Sequence, residues 1–317
     1  TSSVRPGWTP CSLDGAVLTD HSALDLGLVV AAHGRHVVVE TPEGVRVMCH
    51  PRGKKSELVV GDRVRWQATG DGGVIEHLEP RRNLLFRQDE WRTKSFAANL
   101  DLLLVLVAGE PMFSESQLTR ALIAAQSAGI PTLIGMNKTD LPAAAVARER
   151  LAPYRAMGVE LLELALKTDA AASKSRLLDR LAGRVTLVLG PSGMGKSTLI
   201  NLLVPEAAAQ VGEISQALAA GRHTTTTTTW YWLDEQRQGA LIDSPGFQEF
   251  GLRQIAPEDL AGLMPDYAAA MGHCRFHNCS HRHEPGCGVR AAMERGEISV
   301  YRQRIYEALF EELSAKR

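Results

Sequence analysis

Gly190-Pro191-Ser192-Gly193-Met194-Gly195-Lys196-Ser197-Thr198 is the stretch on which the reading of this chain turns. It fits G-x-x-x-x-G-K-[ST], the spacing of a phosphate-binding loop. Glycines let the backbone come close to phosphate oxygens, and successive N–H groups then converge on them. A glycine-rich turn with an incidental lysine would share these letters, so the flanks matter. Arg184-Val-Thr-Leu-Val-Leu189 reads as a buried strand, and Ser197 to Leu203 reads as the helix it feeds. In that setting Lys196 is expected to reach the β- and γ-phosphates, and the Ser197 hydroxyl to ligate Mg2+.

The 317 residues suffice for two or three domains. A hydrophobic content of 44% and a charged content of 22% belong to a globular protein, not to a disordered chain. The formal net charge of -1 neither demands nor excludes a nucleic-acid partner, because a basic face can hide in a neutral total. No apolar run approaches the roughly 18 residues of a membrane span, so no membrane partner is expected. No signal peptide is read, although Thr1 suggests that the natural start lies upstream. Of the five cysteines, Cys274, Cys279 and Cys287 crowd together. That spacing suits a metal site in a reducing cytoplasm better than a disulfide framework.

Upstream of the loop the texture changes twice. Residues 1–25 lack periodicity and read as a loose arm. Residues 26–85 carry short β-branched runs separated by turns, as in Gly27-Leu-Val-Val-Ala31, His36-Val-Val-Val-Glu40 and Val45-Arg-Val-Met-Cys49. Asp62 to Trp66 and Gly73 to His77 continue the pattern. Five short strands predict a small closed β-barrel of the OB-fold type. Arg52-Gly53-Lys54-Lys55 falls in a loop of this unit and reads either as a phosphate-backbone contact or as a solvated charge cluster.

Residues 90–255 read as an α/β domain. Asp101 to Val107 is a buried strand, Ser116 to Ala128 has helical spacing with Ser114 as its N-cap, and Ile130 to Met136 is the next strand. That strand ends in Asn137-Lys138-Thr139-Asp140, at the strand end where α/β folds place ligand groups. A carboxylate at 140 can accept from both N1–H and the 2-amino group of guanine, a donor pair that adenine lacks. The pattern therefore selects GTP. Many GTPases support the base with Ser-Ala-Lys; here Ala165-Leu166-Lys167 keeps only the lysine.

Beyond the phosphate loop lies Gly221-Arg222-His223, followed by six threonines. The run reads as a strand through Thr228 to Trp232, preceded by a loop in which Thr224 or Thr225 completes the Mg2+ shell. Asp243-Ser-Pro-Gly246 then follows a strand, with Asp243 near Mg2+ and the Gly246 N–H facing the γ-phosphate. Phe247 stands where many GTPases carry a water-positioning glutamine. Another polar group must take that role, and His223 is the candidate, its alternative being an ordinary surface turn residue. The base-reading motif precedes the phosphate loop, so the order is that of a circularly permuted P-loop GTPase, whose exit leads straight from the second switch into residues 256–317. There Cys274, Cys279, His281 and Cys287 fall within 14 residues and suit one closed, structural Zn2+ site. His273, His277 and His283 are nearby substitutes. The rest of this mainly α-helical segment shows helical spacing from Val289 to Arg295 and again from Val300.

Taken together, Arg52-Gly53, Gly61-Asp62-Arg63-Val64, the base-reading tetrapeptide, the phosphate loop, the His223-threonine run, Asp243 to Phe247 and C-x4-C-x-H-x5-C resemble the ribosome small-subunit-dependent GTPase A family, RsgA or YjeQ, over about residues 26 to 313. The resemblance implies a cytoplasmic, monomeric GTPase that cycles between GTP and GDP. Its implied partners are the 30S ribosomal subunit and its 16S rRNA, late in assembly, and the likeness also points to His223. Two other readings compete: a GTP-sensing rRNA-binding adaptor with incidental hydrolysis, and a permuted GTPase serving the large subunit.

Overall fold

The computed structural model describes residues 24–33, 36–53, 57–70, 72–88, 93–207, 228–244 and 251–315. The expected N-terminal arm up to residue 23, Lys54, Lys55, His223, Thr224, Thr225, Gly246 and Phe247 lie outside the described residues.

The first β-branched runs become β1 (Asp25–His33), β2 (His36–Glu40), β3 (Arg46–Pro51), β4 (Arg63–Thr69) and β5 (Gly72–Leu78). They pair in the order β1-β2-β3-β5-β4, and β4 returns to β1, closing the expected five-stranded barrel. Closure leaves no free sheet edge. A bulge between Val29 and Ala31 bends β1 so that it can serve several neighbours. Val29, Val37, Val39, Cys49, Val64, Trp66 and Ile75 fill the interior. Glycine makes room for the indole: a Cβ on Gly73 would lie 2.5 Å from the Trp66 ring.

A hairpin that the sequence pattern did not announce, β6 (Leu84–Gln88) with β7 (Thr93–Ala98), leads out of the barrel. It is stitched to the barrel at the Gly61-Asp62 turn. The Ala98 N–H donates to Val60 O at 3.0 Å, and a Cβ on Gly61 would lie 2.2 Å from Ala98 O. The fully buried Asp62 carboxylate accepts two bonds from Arg81, at 2.7 and 2.8 Å.

The α/β domain follows as β8 (Leu102–Ala108), α1 (Glu115–Ser127), β9 (Thr132–Asn137), α2 (Ala144–Ala156), β10 (Glu160–Glu163), α3 (Ala170–Leu181), β11 (Val185–Leu189), α4 (Lys196–Leu203), β12 (Thr228–Trp232) and β13 (Ala240–Asp243). Its sheet runs β10-β9-β8-β11-β13-β12, parallel except for β12. Every residue of β8 is buried, as befits a central parallel strand covered on both faces. The Ser114 side chain caps α1 by accepting the Gln117 N–H, as its sequence position predicts. β12 also pairs with β1, Ala31 opposite Thr229 and Ala32 opposite Thr228, so barrel and α/β sheet are continuous.

The C-terminal region folds as α5 (Pro265–Met271), α6 (Gly288–Glu294) and α7 (Val300–Ser314). Its Tyr267, Val289, Tyr306 and Leu309 belong to the same buried cluster as Leu103 and Leu187 of the central sheet. Among the described residues, no helix is long and apolar enough to cross a membrane.

Candidate functional site

The strand ends of β9 and β11 place the two sequence motifs side by side. Asn137 is the hinge between them. It is buried, its Nδ2 donates to Met194 O in the glycine loop at 2.9 Å, and its Oδ1 accepts the Leu166 N–H at 3.2 Å. Gly195 has φ of 102°, in the left-handed region, and a Cβ there would lie 2.4 Å from Asn137 Nδ2. Both facts require glycine. A Cβ on Gly190 would likewise meet Leu106 O at 2.5 Å, so the loop sits directly on β8.

One cleft of about 560 Å3 opens over this seam, a volume in the range of small-molecule sites. Asn137, Lys138, Asp140 and Lys167 line one part of it; Pro191, Ser192, Gly193, Gly195, Lys196, Ser197 and Thr198 line another. Three other residues expected at the nucleotide serve as supports. Thr139 turns beneath the cleft, its Oγ1 donating to Leu164 O at 3.0 Å. Gly190 offers its carbonyl to Lys196 Nζ at 2.7 Å, and Met194 is buried with its carbonyl on Asn137. Leu141 and Thr168 also line the cleft and were not singled out by sequence, because single neighbours of a motif carry no pattern of their own; Leu166, between Ala165 and Lys167, lines it too.

Lys196 and Asp243 bring two opposite charges into partial burial at one end of the cleft. Burial pushes the Lys196 ammonium below its ordinary pKa, with nearby Asp243 acting the other way. Burial also raises the Asp243 carboxyl, with Lys196 opposing. A phosphate chain beside Lys196 and a divalent cation beside Asp243 would each favour the charged form that burial disfavours, so the residues fit a Mg2+-nucleotide unit. Ser197 is exposed at the start of α4 and lines the cleft.

In the C-terminal region Cys274, Cys279, His281 and Cys287 bring one ligand atom each within 4.8 Å of one another. Cys274 Sγ and Cys287 Sγ stand 3.9 Å apart, and each lies 3.5 Å from His281 Nδ1. Tetrahedral zinc, with Zn–S of about 2.3 Å and Zn–N of about 2.0–2.1 Å, requires edges of roughly 3.8 Å and 3.5 Å, so the cluster fits that ion. Burial pushes the Cys279 thiol up to about 12, and a bound cation would reverse that. His273, His277 and His283 are exposed and outside the cluster. The Glu284 carboxylate shapes the loop, accepting the N–H groups of Ser280, Arg282 and His283 at 2.8, 3.2 and 3.1 Å. It thereby steadies His281 at a φ of 61°.

The profile of the RsgA GTPase family matches residues 78–253. The chain is 60% identical over 318 residues to the small ribosomal subunit biogenesis GTPase RsgA of Variovorax paradoxus (strain S110), with 99% of each chain covered. It is 52% identical over 291 residues to the protein of that name from Burkholderia pseudomallei (strain K96243), covering 91% of this chain and 92% of the relative. Among solved structures, YjeQ from Thermotoga maritima matches with a TM-score of 0.71 at 30% identity, over 92% of this chain and 99% of that one. YloQ, described as a circularly permuted GTPase, matches in fold with a TM-score of 0.69 at 23% identity, over 95% and 99%. The permuted motif order read from the sequence agrees with that fold.

Proposed function

This chain belongs to the RsgA GTPase family, and on that premise we propose that it hydrolyses GTP in response to the small (30S) ribosomal subunit, as a checkpoint late in that subunit's assembly. The observation that carries the reading is the cleft that joins the Asp140 base-reading turn to the Lys196 phosphate loop. Asp140 reads guanine, Lys196 holds the β- and γ-phosphates, and the Gly246 N–H meets the γ-phosphate. Ser197, Asp243 and one of Thr224 and Thr225 complete the Mg2+ shell. Phe247 has no polar atom with which to orient water, so His223 positions or deprotonates it. Zn2+ in the Cys3His cluster is structural, because four protein ligands leave no open coordination position. The barrel contacts 16S rRNA through its Arg52 loop, where the Arg52 side chain is 71% exposed and pairs with Glu76. The protein acts in the cytoplasm as a monomer.

The test is GTP turnover by the wild type and by His223→Ala, each alone, with 30S subunits and with 50S subunits. Wild-type turnover should rise strongly with 30S alone. His223→Ala should bind GTP normally and lose about 10²- to 10⁴-fold of the stimulated rate. Subunit binding that depends on nucleotide, without stimulated turnover, would favour the adaptor reading instead. Stimulation by 50S would favour a large-subunit role.

A further inference from the structure

Position 165 lacks the hydroxyl that a Ser-Ala-Lys motif would place behind the base, and a hydroxyl from another element meets its backbone amide. Ser173, in the first turn of α3 and fully buried, accepts the Ala165 N–H with its Oγ at 3.0 Å. That amide is the middle one of three in a row, each tied to a different part of the fold. The Leu164 N–H donates to Met136 O of β9 at 2.8 Å, and the Leu166 N–H donates to Asn137 Oδ1 at 3.2 Å. Leu164 O in turn accepts the Thr139 N–H at 3.1 Å. The Asp169 N–H donates to Ala165 O at 2.8 Å and opens the turn into α3 that carries Ser173. Beyond this frame, Leu166 and Lys167 line the cleft with Asp140.

We infer that Ser173 is a positioning residue for guanine recognition, supplying from α3 the hydroxyl that is missing at position 165. The inference rests on the guanine reading above. Without the Oγ, the Ala165 amide loses its partner in a half-buried turn, or the turn shifts to find another. Either outcome displaces Leu166 and Lys167 relative to Asp140. Ser173 is not among the residues that line the cleft beside the phosphate loop, so nucleotides that differ only in phosphate number should be affected alike.

The experiment compares wild type, Ser173→Ala and Ser173→Thr in the full chain. For Ser173→Ala, the Kd values of GDP and of a non-hydrolysable GTP analogue should both rise about five- to tenfold, the worth of one net hydrogen bond. The preference for GDP over IDP, which depends on Asp140 meeting the 2-amino group, should fall with them. KM for GTP should follow Kd, with kcat at saturating GTP changing by less than about twofold. Ser173→Thr keeps the oxygen on the same carbon and should recover most of the loss. Melting temperatures of all three proteins are measured alongside. A lower melting temperature with unchanged Kd and selectivity would make Ser173 a structural residue only and overturn the inference. So would a loss confined to the GTP analogue, or a failure of Ser173→Thr to recover while melting like the wild type. If the wild type binds ADP as well as GDP, the guanine reading itself fails first, and this inference with it.

Discussion

In the proposed reading Asp140 would choose the base with two acceptor oxygens on one carboxylate; it stands at the exposed end of a turn whose other members are all tied down. Asn137 is bonded to the phosphate loop, Lys138 Nζ donates to Glu110 O at 2.6 Å, and Thr139 is bonded beneath. Little conformational freedom therefore remains to be lost when guanine arrives. Asp140→Asn replaces one acceptor with an amide donor. Xanthine carries a carbonyl where guanine carries its 2-amino group, so the mutant should accept XTP in preference to GTP. Losing charge-assisted bonds worth about 1.5–3 kcal/mol should weaken GTP binding by roughly 10- to 100-fold. Competition binding with GTP and XTP measures both changes, and an Asp140→Asn protein that still prefers GTP would remove Asp140 from base recognition.

Among the elements, β12 has the most consequential neighbours. The chain reaches it directly from the threonine run, and it pairs on one side with β13, which ends at Asp243, and on the other with β1 of the barrel. The buried Glu40 of β2 fastens the same seam. Its Oε1 accepts the Trp232 Nε1–H at 2.7 Å and lies 3.6 Å from Arg237 NH1, and its Oε2 accepts from Arg46 Nε at 2.9 Å. Arg46 and Arg237 are partly in water, so the low end of a buried-pair energy applies. Glu40→Ala should cost about 1–3 kcal/mol, and Glu40→Gln, which still accepts from Trp232, should cost less. Urea unfolding followed by tryptophan emission checks this; equal stability of all three proteins would show that the seam is not held here. The strands themselves were legible in the β-branched runs, and the cleft was legible in two motifs at strand ends. The joints were not. The pairing of β12 with β1 links residues almost 200 positions apart, and the Ser173 bond links a turn to a helix, so neither leaves a local period or motif. The β6–β7 hairpin escaped notice for a related reason: Leu85, Phe96 and Ala97 are buried by the α/β core and not by an alternating pattern of their own.

At the scale of the whole molecule, the barrel has its own small core, whereas the C-terminal helices share the large core of the α/β domain. Sequence suggested a metal-bound segment tethered beyond the second switch; the structure adds a buried anchor that no motif encodes. Arg302 of α7 is 2% exposed and grips Asp266 of α5 with two bonds, at 2.8 and 2.7 Å. Its NH1 donates to Thr119 Oγ1 of α1 at 2.9 Å, and its guanidinium lies 5.4 Å from the Tyr154 ring centre of α2. One side chain thus ties the helices around the metal cluster to two helices of the α/β domain. Removing a single partner from a buried pair leaves the other charge without compensation, which costs more than the pair contributes. Arg302→Ala should therefore lower stability by about 3–5 kcal/mol. Asp266→Ala should do nearly as much, while Arg302→Met combined with Asp266→Leu should restore much of the loss by replacing both charges with apolar volume. Chemical unfolding with added Zn2+ provides the measurement, and a cycle of Arg302→Met, Asp266→Leu and the two together isolates the pair. If Arg302→Ala unfolds within about 0.5 kcal/mol of the wild type, as ordinary surface substitutions do, the C-terminal helices are held to the α/β domain by apolar packing and the Arg120–Glu312 pair and not by this anchor.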